Sequence, residues 1–191
     1  MDGKSGAVST FDLPVHPTLA AEGGPVPYEQ RIAPNGVVWV SELQGNRLTG
    51  YDPAIKRTQV VTLSTSWSGP RRFDIDAAGI LWIPAYSANL LVRFDPASGN
   101  FEEIPVPIAG ATRYIVRVDP ASGEVWIGTS AADAALRFQP KARRWSIVPL
   151  PSQGALVRHL VIDSRTHDAW LAYGASFGRI PARIARLQIA R

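Results

Sequence analysis

The chain has 191 residues, 46% hydrophobic and 19% charged, which is apolar enough to bury a core and too apolar for a disordered protein. It has no cysteine, which excludes disulfides, thiolate metal sites and cysteine nucleophiles, and none of its apolar stretches approaches the roughly 20 residues that cross a bilayer. The net charge of +4 comes mostly from arginines scattered along the chain, so it predicts weak attraction to anions, no nucleic-acid binding and no membrane partner.

The first residues contain a turn pattern followed by a strand pattern. Met1 to Ser9 is polar and glycine-rich, so it does not have the pattern of a secretory leader, although a longer parent protein could be exported or periplasmic. Phe11 to Val15 copies the later segment Phe101 to Val106, and both follow a glycine-containing turn. Residues 7–15 are therefore predicted to form the outer strand of a sheet.

A tryptophan recurs every 43 to 44 residues in the rest of the chain. The four strings GVVWV, GILWI, GEVWI and HDAWL share one register, and in the first three repeats an Asp-Pro or Gln-Pro pair follows 13 residues after the tryptophan. Two markers that stay in phase indicate a structural repeat. The sequence predicts four repeats in one domain, at about 27–70, 71–112, 113–156 and 157–191.

Each repeat contains four short strand signals. In the second repeat, four runs of mostly apolar residues are separated by turn residues such as Ala-Gly, Ser-Ala-Asn and Asp-Pro-Ala-Ser-Gly. Four antiparallel strands in 40 to 45 residues are typical of a β-propeller blade, whereas the 3.6-residue period of helical repeats is absent. The predicted fold class is all-β, a β-propeller of four-stranded antiparallel blades.

The two ends of the chain allow two arrangements. In one, Val8 to Leu13 pairs with Arg183 to Gln188 and closes a ring of four blades. In the other, the opening turn is the remainder of a preceding blade and the chain is part of a larger ring. The second is favoured because residues 2–6 form a turn with no strand before it. An open arc would expose strand edges, so self-association through these edges is a further expectation.

The repeat motif resembles that of the virginiamycin B lyase (streptogramin lyase) family. The residues that carry the resemblance are Gly36 to Glu42, followed in the next repeat by Asn89, Arg93, Asp95-Pro96, Ser98-Gly99 and Phe101 to Pro107. The resemblance implies a seven-bladed ring and Mg²⁺-dependent opening of a cyclic depsipeptide ester by elimination. It also implies a metal ligand at Glu42, three residues after Trp39, and a catalytic base at His159, 11 residues before Trp170, although no single repeat has both residues.

A second set of candidate residues lies on the predicted innermost strands, which line the channel of a propeller. These residues are Tyr28, Arg71, Arg113, Tyr114 and Arg158. Arginine offers paired donors to carboxylate and phosphate, so the set predicts binding of a small anionic molecule or an acidic protein partner. Alternatively, the arginines face water or pair with nearby aspartates. Channel-face binding is the leading functional prediction, and an active Mg²⁺-dependent lyase is the alternative.

Overall fold

The structure, a computed structural model, describes residues 4–19, 24–174 and 181–188. This part of the chain contains fifteen β-strands and no helix. Accordingly, none of its elements is a helix long and apolar enough to span a bilayer.

The strands form four antiparallel sheets, called blades 1 to 4 in chain order. Blade 1 comprises β1 (Pro27–Ile32), β2 (Val38–Glu42), β3 (Arg47–Asp52) and β4 (Arg57–Thr62). Blade 2 comprises β5 (Asp74–Ile75), β6 (Leu81–Ala85), β7 (Leu90–Asp95) and β8 (Asn100–Pro105). Blade 3 comprises β9 (Arg113–Val118), β10 (Val125–Thr129), β11 (Ala134–Gln139) and β12 (Arg144–Pro149). Blade 4 comprises β13 (Leu156–Ile162), β14 (Ala169–Gly174) and β15 (Arg183–Leu187). The predicted all-β propeller fold is thereby confirmed.

The segment predicted as an outer strand, residues 7–15, is not a strand. Its side chains and carbonyls pack on blade 1 instead: the Phe11 ring lies 4.5 Å from the Tyr51 ring, and the Pro14 carbonyl accepts a hydrogen bond from the Arg47 guanidinium. The closed-ring alternative, in which Val8 to Leu13 would pair with Arg183 to Gln188, is not found, because over the described residues β15 pairs with β14 alone. These contacts hold the segment on the first blade.

The turn before each tryptophan strand explains why the repeat begins with glycine. Gly36, Gly79 and Gly123 have φ angles of 85°, 83° and 72°, in the left-handed region that glycine adopts without a steric cost. In the fourth repeat His167 takes this position, with φ of 61°. Its ring Nδ1 lies 2.9 Å from the carboxylate of Asp119, so this histidine also joins blade 3 to blade 4.

The tryptophans form the packing between successive blades. Trp39 of blade 1 meets Phe94 of blade 2 edge-on at 5.9 Å, and Trp82 of blade 2 meets Phe138 of blade 3 at 6.1 Å. Trp126 lies in a third cluster between blades 3 and 4. These three tryptophans are only 1 to 2% exposed. Aromatic pairs of this kind contribute about 0.5–1.5 kcal/mol beyond their buried area.

A β-bulge interrupts the inner strand of three blades at the same place. The register between the inner strand and its neighbour shifts at Tyr28 in blade 1, at Tyr114 in blade 3 and at Arg158 in blade 4. In blade 2 the equivalent residue is Arg71, which follows the isolated bridge between Pro70 and Ala85. A bulged residue is left out of the ladder and its side chain is re-aimed. The bulges therefore turn one side chain per blade away from the regular alternation.

Candidate functional site

The side chains at the bulge positions of the first three blades, Tyr28, Arg71 and Tyr114, lie in contact with one another. The hydroxyl groups of Tyr28 and Tyr114 share a hydrogen bond of 2.5 Å, and Nη1 of Arg71 donates to the Tyr28 hydroxyl at 3.2 Å. Together with Arg72 and Tyr86, these residues are called the tyrosine–arginine cluster below. The structure thus brings together three residues that lie 43 positions apart in sequence.

The rings of the cluster surround the guanidinium group of Arg71. Its Cζ lies 3.6 Å from the ring centre of Tyr86, 4.9 Å from that of Tyr114 and 5.4 Å from that of Tyr28. Cation–π contacts contribute about 0.5–2 kcal/mol each, depending on solvation. These contacts use the faces of the tyrosine rings, and of the Arg71 N–H groups only Nη1 donates to one of these residues, the Tyr28 hydroxyl.

Two N–H groups in the cluster have no acceptor. The Nε atoms of Arg71 and Arg72 are covered and make no hydrogen bond within the described part of the chain. A buried donor without a partner costs about 1–3 kcal/mol. An acceptor that enters the cluster would therefore be stabilised by arginines already held in position.

The two tyrosines of the hydrogen bond have opposite pKa shifts. Burial raises the pKa of Tyr28, and so does the hydrogen bond to Tyr114. Burial also favours the neutral form of Tyr114, but the hydrogen bond with Tyr28 and the charges of Arg71, Arg72 and Arg158 outweigh it and lower the Tyr114 pKa. These shifts favour negative charge on the Tyr114 oxygen over the Tyr28 oxygen.

A network of charged side chains adjoins the cluster. The Glu29 carboxylate lies 2.7 Å from Arg31 Nη2 and 3.1 Å from Arg117 Nη2, and 3.9 Å from Arg72 Nη1. Arg31 also donates to Asp74 at 3.1 Å. Burial and the nearby charge of Arg31 lower the pKa of Arg117, while Asp74 and Glu29 oppose that shift. One carboxylate is thus shared among three guanidinium groups.

The charges of this region do not balance. The inner strands and the residues that precede β5 bring five arginines here but only two carboxylates, those of Glu29 and Asp74. Among the described residues, no carboxylate forms an ion pair with Arg71 or Arg158. Close, partly buried charges are weakly screened by salt. The inner face of the blades therefore has an excess of positive charge.

Arg113, which the sequence predicted beside these arginines, lies elsewhere. Its side chain is 2% exposed and donates to Asn89 Oδ1 at 2.6 Å and to the Ala88 carbonyl at 2.8 Å. Burial lowers its pKa to about 10. Arg113 immediately precedes the bulge, so it corresponds to Pro70 of blade 2 and points into the packing between blades 2 and 3. Arg113 is thus a buried donor to the turn that follows β6.

Arg158 and His159 lie on the exposed part of β13. The positive charge of Arg158 reaches the cluster, since it contributes to the lowered pKa of Tyr114. Partial burial and the charges of Arg72 and Arg117 lower the pKa of His159, against the opposing effect of Glu29. This lowered pKa favours the neutral form of the His159 imidazole.

Glu42, the predicted metal ligand, does not fit Mg²⁺ in this structure. Its carboxylate is fully buried, and Arg47 Nε donates to it at 2.7 Å while Thr49 Oγ1 donates to its second oxygen at 2.5 Å. No group of three or more His, Cys, Asp or Glu side chains suited to a metal ion occurs in the described part of the chain. Magnesium requires several oxygen ligands in octahedral geometry, and here the single carboxylate is already neutralised by Arg47.

Two residues of this region were missed at the sequence level. Glu29 lies one position beyond the Tyr28 bulge, where Arg72 and His159 lie in blades 2 and 4. Its position on an inner strand among arginines could have identified it as their counter-charge. Tyr86 follows β6 in the turn to β7, at the same end of its blade as the bulge, and only that position could have pointed to it.

Comparison with known proteins identifies the fold and nothing finer. No family model matches the chain, and no curated protein matches it. Virginiamycin B lyase from Staphylococcus aureus is 19% identical over 85% of this chain and 55% of that chain, with a TM-score of 0.71. Kuenenia stuttgartiensis hydrazine synthase is 14% identical, with a TM-score of 0.73, over 86% of this chain and 46% of that chain. YCF48 bound to D1 peptide is 17% identical, with a TM-score of 0.67, over 87% of this chain and 52% of that chain.

The chain spans about half the length of the structures it matches. The named proteins differ in what their names describe, an antibiotic lyase, a hydrazine synthase and a protein in complex with a peptide, so the likeness does not select an activity. What these proteins share with the chain is the architecture. The chain has the β-propeller fold of the streptogramin B lyases and of several other propeller proteins.

Proposed function

We propose that this protein binds an anionic small molecule, or an acidic group of a partner, at the tyrosine–arginine cluster. The observation that carries the proposal is the arrangement of Arg71 and Arg72, two adjacent guanidinium groups held by tyrosine rings, each with a covered Nε–H that has no acceptor. Arginines fixed in this way are pre-organised for a carboxylate or phosphate, because little side-chain freedom is lost on binding.

The charge of the region supports an anion over a cation. A cationic ligand would compete with Arg71 for the three tyrosine rings and would be repelled by Arg72 and Arg158. An anion would instead offset the excess positive charge and accept the free N–H groups. Tyr114 adds a hydroxyl beside both arginines, which suits a ligand with more than one oxygen.

The lyase chemistry implied by the family resemblance has less support from the described residues. The lowered pKa of His159 favours its neutral form, but the Glu42 carboxylate is buried and hydrogen-bonded by Arg47 and Thr49, so it does not fit the metal. Anion binding is therefore the proposed function. Lyase activity is the second candidate, and it can be tested with the same purified protein.

Thermal unfolding in the presence of anions tests the proposal. We expect phosphate, citrate or succinate to raise the melting temperature above its value in chloride at matched ionic strength, because a ligand that binds only the folded state stabilises it. Isothermal titration calorimetry with the best anion should then give one saturable site. Arg72→Gln should abolish the specific shift, and Arg71→Gln should weaken it.

Arg57 provides the matched control. It is an exposed arginine on the outer strand β4, and Arg57→Gln removes the same charge without touching the cluster. The shift should survive in this variant. Equal stabilisation by chloride and by the polyvalent anions, or a shift that Arg72→Gln leaves intact, would show that the arginines only balance the protein's own charges.

A further inference from the structure

Trp67 lies on the loop that connects blade 1 to blade 2, and its side chain is 82% exposed. Its backbone has a φ of 57°, in the left-handed region that bulky residues rarely adopt. In the other three blades the residue four positions before the bulge is a glycine, and these are Gly24, Gly110 and Gly154, with φ of 79°, 70° and 71°. Trp67 lies four positions before Arg71, so it takes the place of that glycine.

The packing of the blades does not require a side chain at this position. A Cβ atom at Gly24, Gly110 or Gly154 would have no atom of a non-neighbouring residue within 4 Å, so a side chain here projects into open space. Glycine is the residue that the backbone conformation favours, and tryptophan adds backbone strain and an exposed apolar surface. A large aromatic residue that is strained and yet not buried points to a role in binding.

Hydrogen bonds fix the loop on both sides of Trp67. Before it, Thr65 Oγ1 donates to the Glu103 carboxylate at 2.8 Å. After it, the Ser68 amide donates to Asn46 Oδ1 at 2.8 Å. Ser68 is fully buried, and its Oγ donates to the Thr65 carbonyl, which joins the two sides of the loop. The backbone therefore holds Trp67 in position, and little loop freedom is lost when a partner covers its ring.

The same loop is joined to the tyrosine–arginine cluster. The Gly69 carbonyl accepts a hydrogen bond from the backbone amide of Tyr86 at 3.4 Å, and the Tyr86 ring lies on the Arg71 guanidinium. Arg71 is four positions after Trp67, so the Cα atoms of these two residues are at most about 14 Å apart. An extended peptide covers this distance in about four or five residues.

We propose that Trp67 and the tyrosine–arginine cluster together bind an acidic segment of a protein partner, which rests on the anion binding proposed for the cluster above. A carboxylate of the segment lies at the arginines, and an apolar side chain packs on the Trp67 ring. A small ligand is enclosed by a concave pocket, which an 82% exposed side chain does not provide, whereas a peptide lies across a surface. Tryptophan, tyrosine and arginine are also the residues that most often dominate the binding energy of protein interfaces. The excess positive charge of the inner face selects an acidic segment.

Selection of a random dodecapeptide phage library on the purified protein, followed by fluorescence anisotropy with the labelled synthetic peptides, tests this inference. We expect the enriched peptides to share an Asp or Glu with an apolar residue within about five positions of it. Trp67→Gly should weaken their binding by at least about tenfold, and Trp67→Phe by less. Ile55→Gly is the matched control, because Ile55 is also an exposed apolar turn residue but lies between β3 and β4, at the other end of blade 1. This variant should bind the peptides as the unaltered protein does.

Thermal unfolding with citrate separates the acidic segment from the anion site. Trp67→Gly should not lower the melting temperature, because relief of left-handed strain offsets the added freedom of the unfolded chain. Its citrate-dependent shift should equal that of the unaltered protein, because Trp67 is not part of the cluster.

The possible results exclude different parts of the proposal. No citrate shift in either protein would overturn the anion site and the acidic segment together. A citrate shift without enriched peptides, or with peptides that bind Trp67→Gly as tightly as the unaltered protein, would overturn the acidic segment alone. A lower melting temperature in Trp67→Gly would show that the ring packs in the fold, and Trp67-dependent binding to phosphatidylserine vesicles without peptide binding would assign it to a lipid surface. Either result would also overturn the acidic segment.

Discussion

The hydroxyl oxygens of Tyr28 and Tyr114 lie 2.5 Å apart although 86 residues separate them in the chain. The contact joins blade 1 directly to blade 3, and it occurs because a bulge at the same place in both inner strands turns each ring toward the other. The strand ladder alone would not direct both rings out of their sheets. The pair is thus a sensitive reporter of how the blades are arranged around their inner edge.

Removing the Tyr28 hydroxyl should change the ionisation of Tyr114. The hydrogen bond with Tyr28 is the foremost of the effects that lower the Tyr114 pKa, so Tyr28→Phe should raise that pKa. Ultraviolet absorbance at alkaline pH follows phenolate formation, and Tyr114→Phe identifies the signal that belongs to Tyr114. Arg144→Gln, a change on an exposed outer strand, should leave it unaltered. An unchanged titration in Tyr28→Phe would mean that the tyrosines do not interact in solution.

The purified protein should not linearise a streptogramin B substrate above background in the presence of Mg²⁺. The reason is that Glu42 is buried and neutralised by Arg47, so the expected metal ligand is occupied. Mass spectrometry of the substrate distinguishes the cyclic from the linear form. Turnover that His159→Ala abolishes, and that chelation of Mg²⁺ also abolishes, would contradict this expectation and establish the lyase.

Gly128→Ala should destabilise the packing between blades 3 and 4. A Cβ atom at this position would lie 2.6 Å from Val157 Cγ1 and 2.8 Å from Ile115 Cγ2, and both neighbours are fully buried. Overpacking of this kind costs about 1–3 kcal/mol of unfolding free energy. Urea denaturation measures the loss. Val157→Ala vacates the space, so the double variant should lose less than the sum of the two single losses.

Acid should weaken the contact between Asp119 and His167. Burial favours the neutral form of Asp119, but hydrogen bonds from Ser122, the Ala121 backbone and His167 outweigh it and hold its pKa below the usual 3.8. A lowered pKa in the folded state means that the carboxylate stabilises the fold fully above about pH 4 and loses this effect as the pH falls further. Unfolding free energy, measured from pH 7 to pH 2, should decline less steeply in Asp119→Asn than in the unaltered protein. Equal slopes would exclude the contact as a source of acid sensitivity.

The sequence predicts the blades well because the tryptophan period reports a contact that each blade repeats. Trp39 and Trp82 are covered by phenylalanines of the next blade and Trp126 by the cluster between blades 3 and 4, so a residue type required by packing recurs at fixed spacing. The candidate site is less predictable, because alternation along an inner strand fails at the bulge. Arg113 lies one position before that bulge and turns into the blade packing, whereas Arg71 lies at the equivalent of the bulge and reaches the tyrosines.

Long-range contacts account for the remaining differences. The burial of Glu42 depends on Arg47, whose guanidinium is fixed in turn by the carbonyl of Pro14, 33 residues earlier. No sequence pattern near Glu42 predicts the contact between Arg47 and Pro14. Likewise, the arrangement of three rings around Arg71 requires Tyr28, Tyr86 and Tyr114 from three different blades. The spacing of residues within one repeat does not predict contacts between side chains of different blades.

The inner-strand bulges also bear on how a propeller of this kind can change its specificity over evolutionary time. The bulged residue is outside the ladder, so its exchange need not disturb strand pairing. Tyrosine at positions 28 and 114 and arginine at positions 71 and 158 already show two residue types in equivalent places. Each blade thus contributes one exchangeable side chain to a shared surface, and duplication of a blade adds another such position. Single substitutions at these positions can therefore change what the surface recognises. The residues that pack the blades together are different ones and stay under separate selection.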